Sequence, residues 1–257
     1  MIHYIYEGDI YIANMTQQLT IESKKHHRMY FTISVKITLL PFGGYLDFDH
    51  YQIVCASPER FLKLTDGHVE TRPIKGTRKR GETEKEDLRL RKELENSEKD
   101  KSELLMIVDL ERNDLNKNLQ KWQRESNWLF TIEEYATVFH LVSGIEGDLA
   151  DEKNFADLLM ATFPGGSITG APKYRAMEVI DELEHGKRNL YTGSIGYLSL
   201  DGNCDFNIVI RTVLHVDGHY HLGVGGGITA ESETEFEYEE TLQKAKLSLM
   251  PCSNMEW

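Results

Sequence analysis

Three Asp-Gly pairs punctuate this chain, and each stands between runs that read as strands. Asp66-Gly67 separates 61–64 from 69–74, Asp201-Gly202 separates 194–200 from 206–216, and Asp217-Gly218 separates 206–216 from 219–224. The central residues of the tightest hairpins need positive φ, which Asp and Gly tolerate and most residues do not. A chain that folds back on itself this way builds antiparallel sheet. Residues 29–36, 45–49, 51–56 and 137–147 also carry strand-like patterns.

Helical segments lie between these blocks. Residues 83–117 have helical periodicity, and two capping-box pairs, Thr83 with Glu86 and Ser97 with Asp100, divide them near Asn96. A short helix over 155–163 ends at Pro164-Gly165-Gly166. Pro172 suits a first helical turn, starting a helix that runs to about Glu184 with Gly186 as its stop. A last helix covers 234–249. Hairpin-paired strands with helices grouped between them indicate an α+β fold with mostly antiparallel sheet.

The chain has 257 residues, enough for one large domain or two small ones with a sizeable core. Its formal charge of −13 argues against a general nucleic-acid or anionic-membrane surface. An anionic substrate is still open to it, because a local metal or arginine cluster overrides the global sign. Cys55, Cys204 and Cys252 are widely spaced, with no Cys-x-x-Cys pair, which fits a reduced cytosol rather than a disulfide framework or zinc site. No apolar run is long enough to span a membrane, and no signal-peptide pattern precedes Tyr4.

Several residues could carry chemistry. Lys75 sits in Arg72-Pro73-Ile74-Lys75-Gly76-Thr77, between a fixed φ and a permissive glycine. Such a segment can hold an amine at a set point, and desolvation or a nearby cation would make it a nucleophile near neutral pH. Glu237, Glu240 and Lys244 share one face of the last helix, either as a salt-bridged surface stripe or as part of a site. Glu103 lies before the apolar run Leu104-Leu105-Met106-Ile107-Val108; facing Glu240, it would give an oxygen-rich site of few protein ligands, as Mg2+ prefers.

The glycine-rich run 164–173 and the segment Gly225-Gly226-Gly227-Ile228-Thr229 both let backbone N–H groups approach an anion. Neither has phosphate-loop or dinucleotide spacing, so a carboxylate-bearing ligand is the more natural guest. Glu59 at a strand break reads, alone, as a surface carboxylate paired with Arg60. His140, in an apolar strand, reads as a hydrogen-bonded core residue. Arg211, read as a charge within an apolar strand, needs an anion from protein or ligand.

Taken in order, Ser57-Pro58-Glu59-Arg60-Phe61, the Lys75 segment, Leu105-Met106-Ile107-Val108-Asp109-Leu110 with Arg112-Asn113-Asp114, the run 164–173 and Gly225-Gly226-Gly227-Ile228 before the acidic helix resemble the chorismate-utilising enzymes. That family includes anthranilate, aminodeoxychorismate, isochorismate and salicylate synthases. The resemblance runs from Gly8 to about Lys246. It implies an α+β sandwich of two mostly antiparallel sheets flanked by helices. It also implies one catalytic domain over 1–257, without the N-terminal region of close relatives, so exposed sheet edge and apolar surface should follow.

Within the family, Pro-Ile-Lys-Gly-Thr looks like the aminodeoxychorismate branch of p-aminobenzoate and folate synthesis, whereas the anthranilate branch typically carries alanine in place of the lysine. The resemblance then implies a covalent role for Lys75 at C2 of chorismate and a general-acid role for Glu59 at the C4 hydroxyl. Glu103 and Glu240 would ligate Mg2+, with Glu237 as ligand or water-mediated support. Tyr191, Arg211, Lys244 and the backbone of Gly225, Gly226 and Gly227 would hold the enolpyruvyl carboxylate, and Gly76 and Thr77 would line the ring site. His140 aligns with a histidine tied to pyruvate release in anthranilate formation. A separate cytoplasmic glutamine amidotransferase subunit would supply ammonia. Ile12 stands where the family usually has glutamine or lysine; it cannot activate water, which disfavours isochorismate and salicylate formation.

Overall fold

The structure, a computed structural model, describes residues 1–23, 26–28, 31–32, 41–120 and 128–249. The chain folds as α+β with two antiparallel sheets, one in each of two compact units. Neither unit is continuous in sequence: Met1–Pro58, Ile168–Gly193 and Val209–Trp257 form the first, Glu59–Ser167 and Ser194–Ile208 the second.

In the first unit, β1 (Ile12–Glu22), β2 (Phe42–Asp47), β3 (Tyr51–Ser57), β9 (Gly170–Ala171), β12 (Thr212–Val216) and β13 (His219–Ile228) pair in the order β2-β3-β12-β13-β1-β9. The β12–β13 hairpin turns at Asp217-Gly218, with φ of 48° and 78°. Along β13, Tyr220, Leu222 and Val224 alternate into the core, at most 4% exposed, as the period of a strand with one buried face requires. They pack with Val54, Val213 and Ala245; Ala245 belongs to α6 (Thr234–Leu249). Burying such a side chain contributes about 1.5–3 kcal/mol. A second cluster joins Ile10 and Ala13 to Ala176, Val179 and Ile180 of α5 (Lys173–Leu183). A short helix, α1 (Ile2–Tyr6), precedes β1.

In the second unit, β4 (Arg60–Thr65), β5 (His68–Arg72), β6 (Ile74–Lys79), β8 (Val138–Asp148), β10 (Gly196–Leu198) and β11 (Cys204–Asn207) follow the order β10-β11-β4-β5-β8-β6. β7 (Trp128–Glu134) also pairs with β8. Asp66-Gly67 turns the β4–β5 hairpin with φ of 50° and 82°. The capping pairs act as their spacing implies: Thr83 accepts from Glu86 N to start α2 (Glu84–Glu95), and Ser97 accepts from Asp100 N to start α3 (Glu98–Leu115). Leu104, Ile107, Val108 and Leu115 form the buried stripe of α3, which packs on β6 and β8. Asn154 and Asp157 cap α4 (Phe155–Thr162) reciprocally. No described helix is long and apolar enough to cross a membrane. Edge strand β10 exposes Tyr197 and Leu198.

The structure corrects four assignments. The strand expected over 69–74 is two, because Pro73 has no N–H for the ladder; its carbonyl still accepts from Ser143 N at 3.2 Å. The strand expected over 206–216 breaks at Ile208–Ile210 and Arg211, so that β11 joins one sheet and β12 the other. Arg211 is therefore not a mid-strand charge; its φ of 52° marks the break. Phe31 and Thr32 are helical rather than extended, and the other positions of the strand expected over 29–36 lie outside the described residues. Finally, Gly225, Gly226 and Gly227 continue β13 rather than follow it, opposite Thr16, Met15 and Asn14 of β1. β9 and α1 are too short, and β1 too polar, to be read from sequence, whereas β7 went unread although Trp128-Leu129-Phe130-Thr131-Ile132 is a strand-like run.

Candidate active site

Lys75 and Glu59 come together in the second unit. Between Ile74↔Val142 and Thr77↔His140 the β6–β8 register shifts, so β6 carries one more residue than β8 there. Lys75 and Gly76 form this bulge, and Gly76 supplies the φ of 81° that it needs. Bulges re-aim a side chain out of the regular alternation, and here Lys75 Nζ donates to the carbonyl oxygen of Ser167 at 3.3 Å. Ser167 lies in a single 3-10 turn, Gly166–Ile168.

Glu59 corrects the sequence reading of a surface ion pair. It is 5% exposed, while Arg60 binds Glu70 at 2.6 Å and Asp205 at 3.1 Å instead. Glu59 Oε1 accepts from Ile74 N at 3.3 Å, next to Lys75. Burial pushes its carboxyl above the usual carboxylate range, opposed by Ser167, the Lys75 charge and the Ile74 amide. The Ser167 hydroxyl is itself buried, on the same turn as the carbonyl that accepts from Lys75. A buried carboxyl whose neutral form burial favours thus lies beside the segment that carries the Lys75 amine.

The same bulge places Thr77 opposite His140. Thr77 Oγ1 and His140 Nδ1 are 2.9 Å apart, and the buried His140 ring meets Tyr135 edge-on at 5.5 Å. Glu103 is half-buried on α3 in this unit.

The first unit gathers the remaining residues. Tyr191 packs against β13 at Gly223: a β-carbon there would stand 2.1 Å from Tyr191 Cγ, so only glycine leaves room for the ring. Burial raises the Tyr191 phenol well above its usual range, with Arg188 and Arg211 opposing, and keeps it a donor. Burial lowers the Arg211 guanidinium, opposed by Tyr191 and Glu240. No carboxylate among the described residues ion-pairs with Arg211, which leaves its fork for an anion. The pairing of β12 with β13 reaches only from Val216↔His219 to Val213↔Leu222. From Gly223 onward, β13 therefore has a ladder neighbour on the β1 side only among the described strands.

Across Gly226 stand the acidic groups of α6. A β-carbon there would have Glu237 Oε2 at 3.4 Å, Lys244 Nζ at 3.7 Å and Glu240 Oε1 at 3.9 Å. Lys244 also donates to the Gly225 carbonyl at 3.0 Å and pairs with Glu240. Ser232 Oγ donates to Glu237 Oε1 at 2.7 Å, which leaves Oε2 toward Gly226. The stripe on the last helix is thus half-buried over β13 rather than a free surface. Among the described residues, no three His, Cys, Asp or Glu side chains form a metal-holding group by themselves. Two hard carboxylate donors over a glycine nevertheless fit Mg2+, which is commonly held by one or two carboxylates with water and substrate completing its shell.

Sequence reasoning missed Ser167 and Thr192. Ser167 was inside the glycine-rich run but was read only as part of an anion-binding loop. Nothing local marks Thr192, whose conformation is set by contacts distant in sequence.

A family model described as chorismate binding enzyme matches residues 1–250. Anthranilate synthase component 1 of Aquifex aeolicus is 42% identical over 95% of this chain and 49% of its own length. Aminodeoxychorismate synthase component 1 of Klebsiella aerogenes is 44% identical over 94% of this chain and 53% of its own. The crystal structure of anthranilate synthase component I from Streptococcus pneumoniae superposes with a TM-score of 0.87 at 34% identity, covering 96% of this chain and 55% of that one. The chain spans about half the length of these relatives.

Proposed function

The chain belongs to the chorismate-binding enzyme family, and we propose that within it the chain acts as component I of an aminodeoxychorismate synthase. The reaction would convert chorismate and ammonia to 4-amino-4-deoxychorismate, for p-aminobenzoate and folate synthesis in the cytoplasm. The observation that carries this reading is the bulge at Lys75-Gly76, which sets the amine on the Ser167 carbonyl beside a buried Glu59.

The Lys75 amine, once deprotonated, would attack C2 of the ring; the C1=C2 bond moves to C1=C6 and C5=C6 moves to C4=C5 as the C4 hydroxyl leaves. Glu59 gives that hydroxyl its proton, so that water departs. Ammonia then adds at C4, and the reverse shift of both double bonds restores C5=C6 and C1=C2 and expels Lys75 from C2. Two such displacements through the diene place the nitrogen on the carbon that lost oxygen. Thr77 and Gly76 line the ring, and His140 positions Thr77 through their hydrogen bond. Arg211 and the Tyr191 phenol take the enolpyruvyl carboxylate, with Lys244 and the backbone of Gly225, Gly226 and Gly227 beside them. Glu237 and Glu240, with Glu103, would hold Mg2+. That ion would bind the ring carboxylate and draw charge from the diene. A glutamine amidotransferase subunit would supply the ammonia, in keeping with the component 1 names of the relatives.

A second reading, anthranilate synthase component I, is favoured by the 42% identity to the Aquifex aeolicus protein; a non-catalytic chorismate-binding role is a third outcome. One experiment separates them. Wild type and Lys75→Ala are incubated with chorismate, Mg2+ and excess ammonium, and intact protein and products are analysed by mass spectrometry. Aminodeoxychorismate, with a protein adduct that disappears in Lys75→Ala, is the expected result. Anthranilate would overturn the assignment of branch, and chorismate binding without any product would overturn the enzyme assignment.

A further inference from the structure

Thr192 and Arg211 both occupy the left-handed region, at φ of 64° and 52°. For a β-branched residue this is a true outlier, because the branched carbon crowds the backbone. Thr192 is 7% exposed, so it is no surface turn adjusting freely. Its surroundings enforce the conformation. Thr192 N donates to the Val209 carbonyl at 2.8 Å, and Val209 N donates to the Gly193 carbonyl at 2.9 Å. Val209 is itself fully buried. Two residues on, the Arg211 carbonyl accepts from Ala56 N at 3.1 Å, which ties this segment to β3. Asn189, at φ of 52°, opens the same loop, and Tyr191 N closes it on the Arg188 carbonyl at 3.1 Å.

A sparsely populated backbone conformation persists only where the structure around it over-determines it. What this one determines is the pair of side chains flanking the clamp. Tyr191 precedes Thr192 and is held against Gly223, and Arg211 follows Val209, its buried charge supported by Tyr191 and Glu240. We propose that Thr192 is a positioning residue: the strained Thr192–Val209 clamp presets the Tyr191 phenol and the Arg211 guanidinium as a two-donor receptor for a carboxylate. The identity of that carboxylate as chorismate rests on the function proposed above; the clamp does not.

Glycine enters the left-handed region without the steric penalty but frees the loop. Asparagine tolerates the region while keeping a side chain. The test compares wild type, Thr192→Gly and Thr192→Asn in the full chain, by thermal midpoint, by 13C-tyrosine NMR of the Tyr191 ring (assigned with Tyr191→Phe) and by calorimetric chorismate binding. Thr192→Gly should melt within a few degrees of wild type, show a broadened or split Tyr191 resonance, and bind chorismate about tenfold more weakly as preorganisation is lost. Thr192→Asn should restore one Tyr191 resonance and near-wild-type affinity. A single Tyr191 resonance at the wild-type position in Thr192→Gly would overturn the proposal, as would a fall in stability that accounts for all of the weakened binding. Failure of wild type to bind chorismate would overturn the ligand reading alone, since the Tyr191 resonance still decides the clamp.

Discussion

Gly223 lies directly beneath the Tyr191 ring, and an added β-carbon would stand 2.1 Å from Tyr191 Cγ and 2.3 Å from Cδ1. No real contact is that short, so Gly223→Ala must push the ring off β13. We expect a stability cost of about 1–3 kcal/mol from overpacking. Chorismate binding should fall by more than this cost implies, because the phenol is moved from its place beside Arg211. Parallel urea melts and binding calorimetry check this; unchanged affinity would show that Tyr191 is not a ligand contact.

Gly76 is constrained twice, by φ of 81° and by space. A β-carbon there would meet Asp100 Cγ at 2.8 Å and Leu94 Cδ1 at 2.9 Å, both on packed helices. Gly76→Ala should therefore destabilise the second unit by about 1–3 kcal/mol and displace Lys75 from the Ser167 carbonyl. A denaturation midpoint equal to wild type would contradict the assigned bulge.

Glu59 gives the chain a pH dependence with a definite sign. Its folded-state value is raised by burial above the unfolded value of about 4.3. Between those values the folded chain keeps a proton that the unfolded chain has released, so stability falls as pH rises through the window. Glu59→Gln cannot ionise and should gain stability relative to wild type as pH rises above about 4.3. Urea melts of both proteins across that range test it, and parallel stability profiles would refute it. If Glu59 is the general acid, loss of its proton should also set the alkaline limb of wild-type kcat/KM.

Ser232 orients Glu237, by a 2.7 Å hydrogen bond to Oε1 that leaves Oε2 facing Gly226. Groups that orient a metal ligand commonly change affinity by about 10–100-fold when removed. Ser232→Ala should weaken Mg2+ binding by at least the lower figure, as read by calorimetry with chorismate present. Equal affinities would remove Glu237 from the set of ligands.

Local signals in the chain were read correctly where the physics is local. Asp66-Gly67 and Asp217-Gly218 turn their hairpins because the turn itself demands positive φ from those residues. Thr83 and Ser97 start their helices because a side-chain oxygen three residues back satisfies an orphan amide. The last helix over 234–249 and the grouping of Glu237, Glu240 and Lys244 on one face follow from the period of a helix. Only the tertiary structure decided the rest. β1 is a strand because β13 completes its hydrogen bonds from Ala13↔Ile228 to Glu22↔His219, which no property of its own polar sequence reveals. The bulge at Lys75-Gly76 exists only in register with β8. Glu59 is a buried carboxyl rather than the surface partner of Arg60, because Glu70 and Asp205 pair with Arg60 instead. Arg211 marks a strand break because its neighbours on either side belong to different sheets. Pairing, burial and desolvation are set by residues far apart in the chain, so they arise only once it is folded.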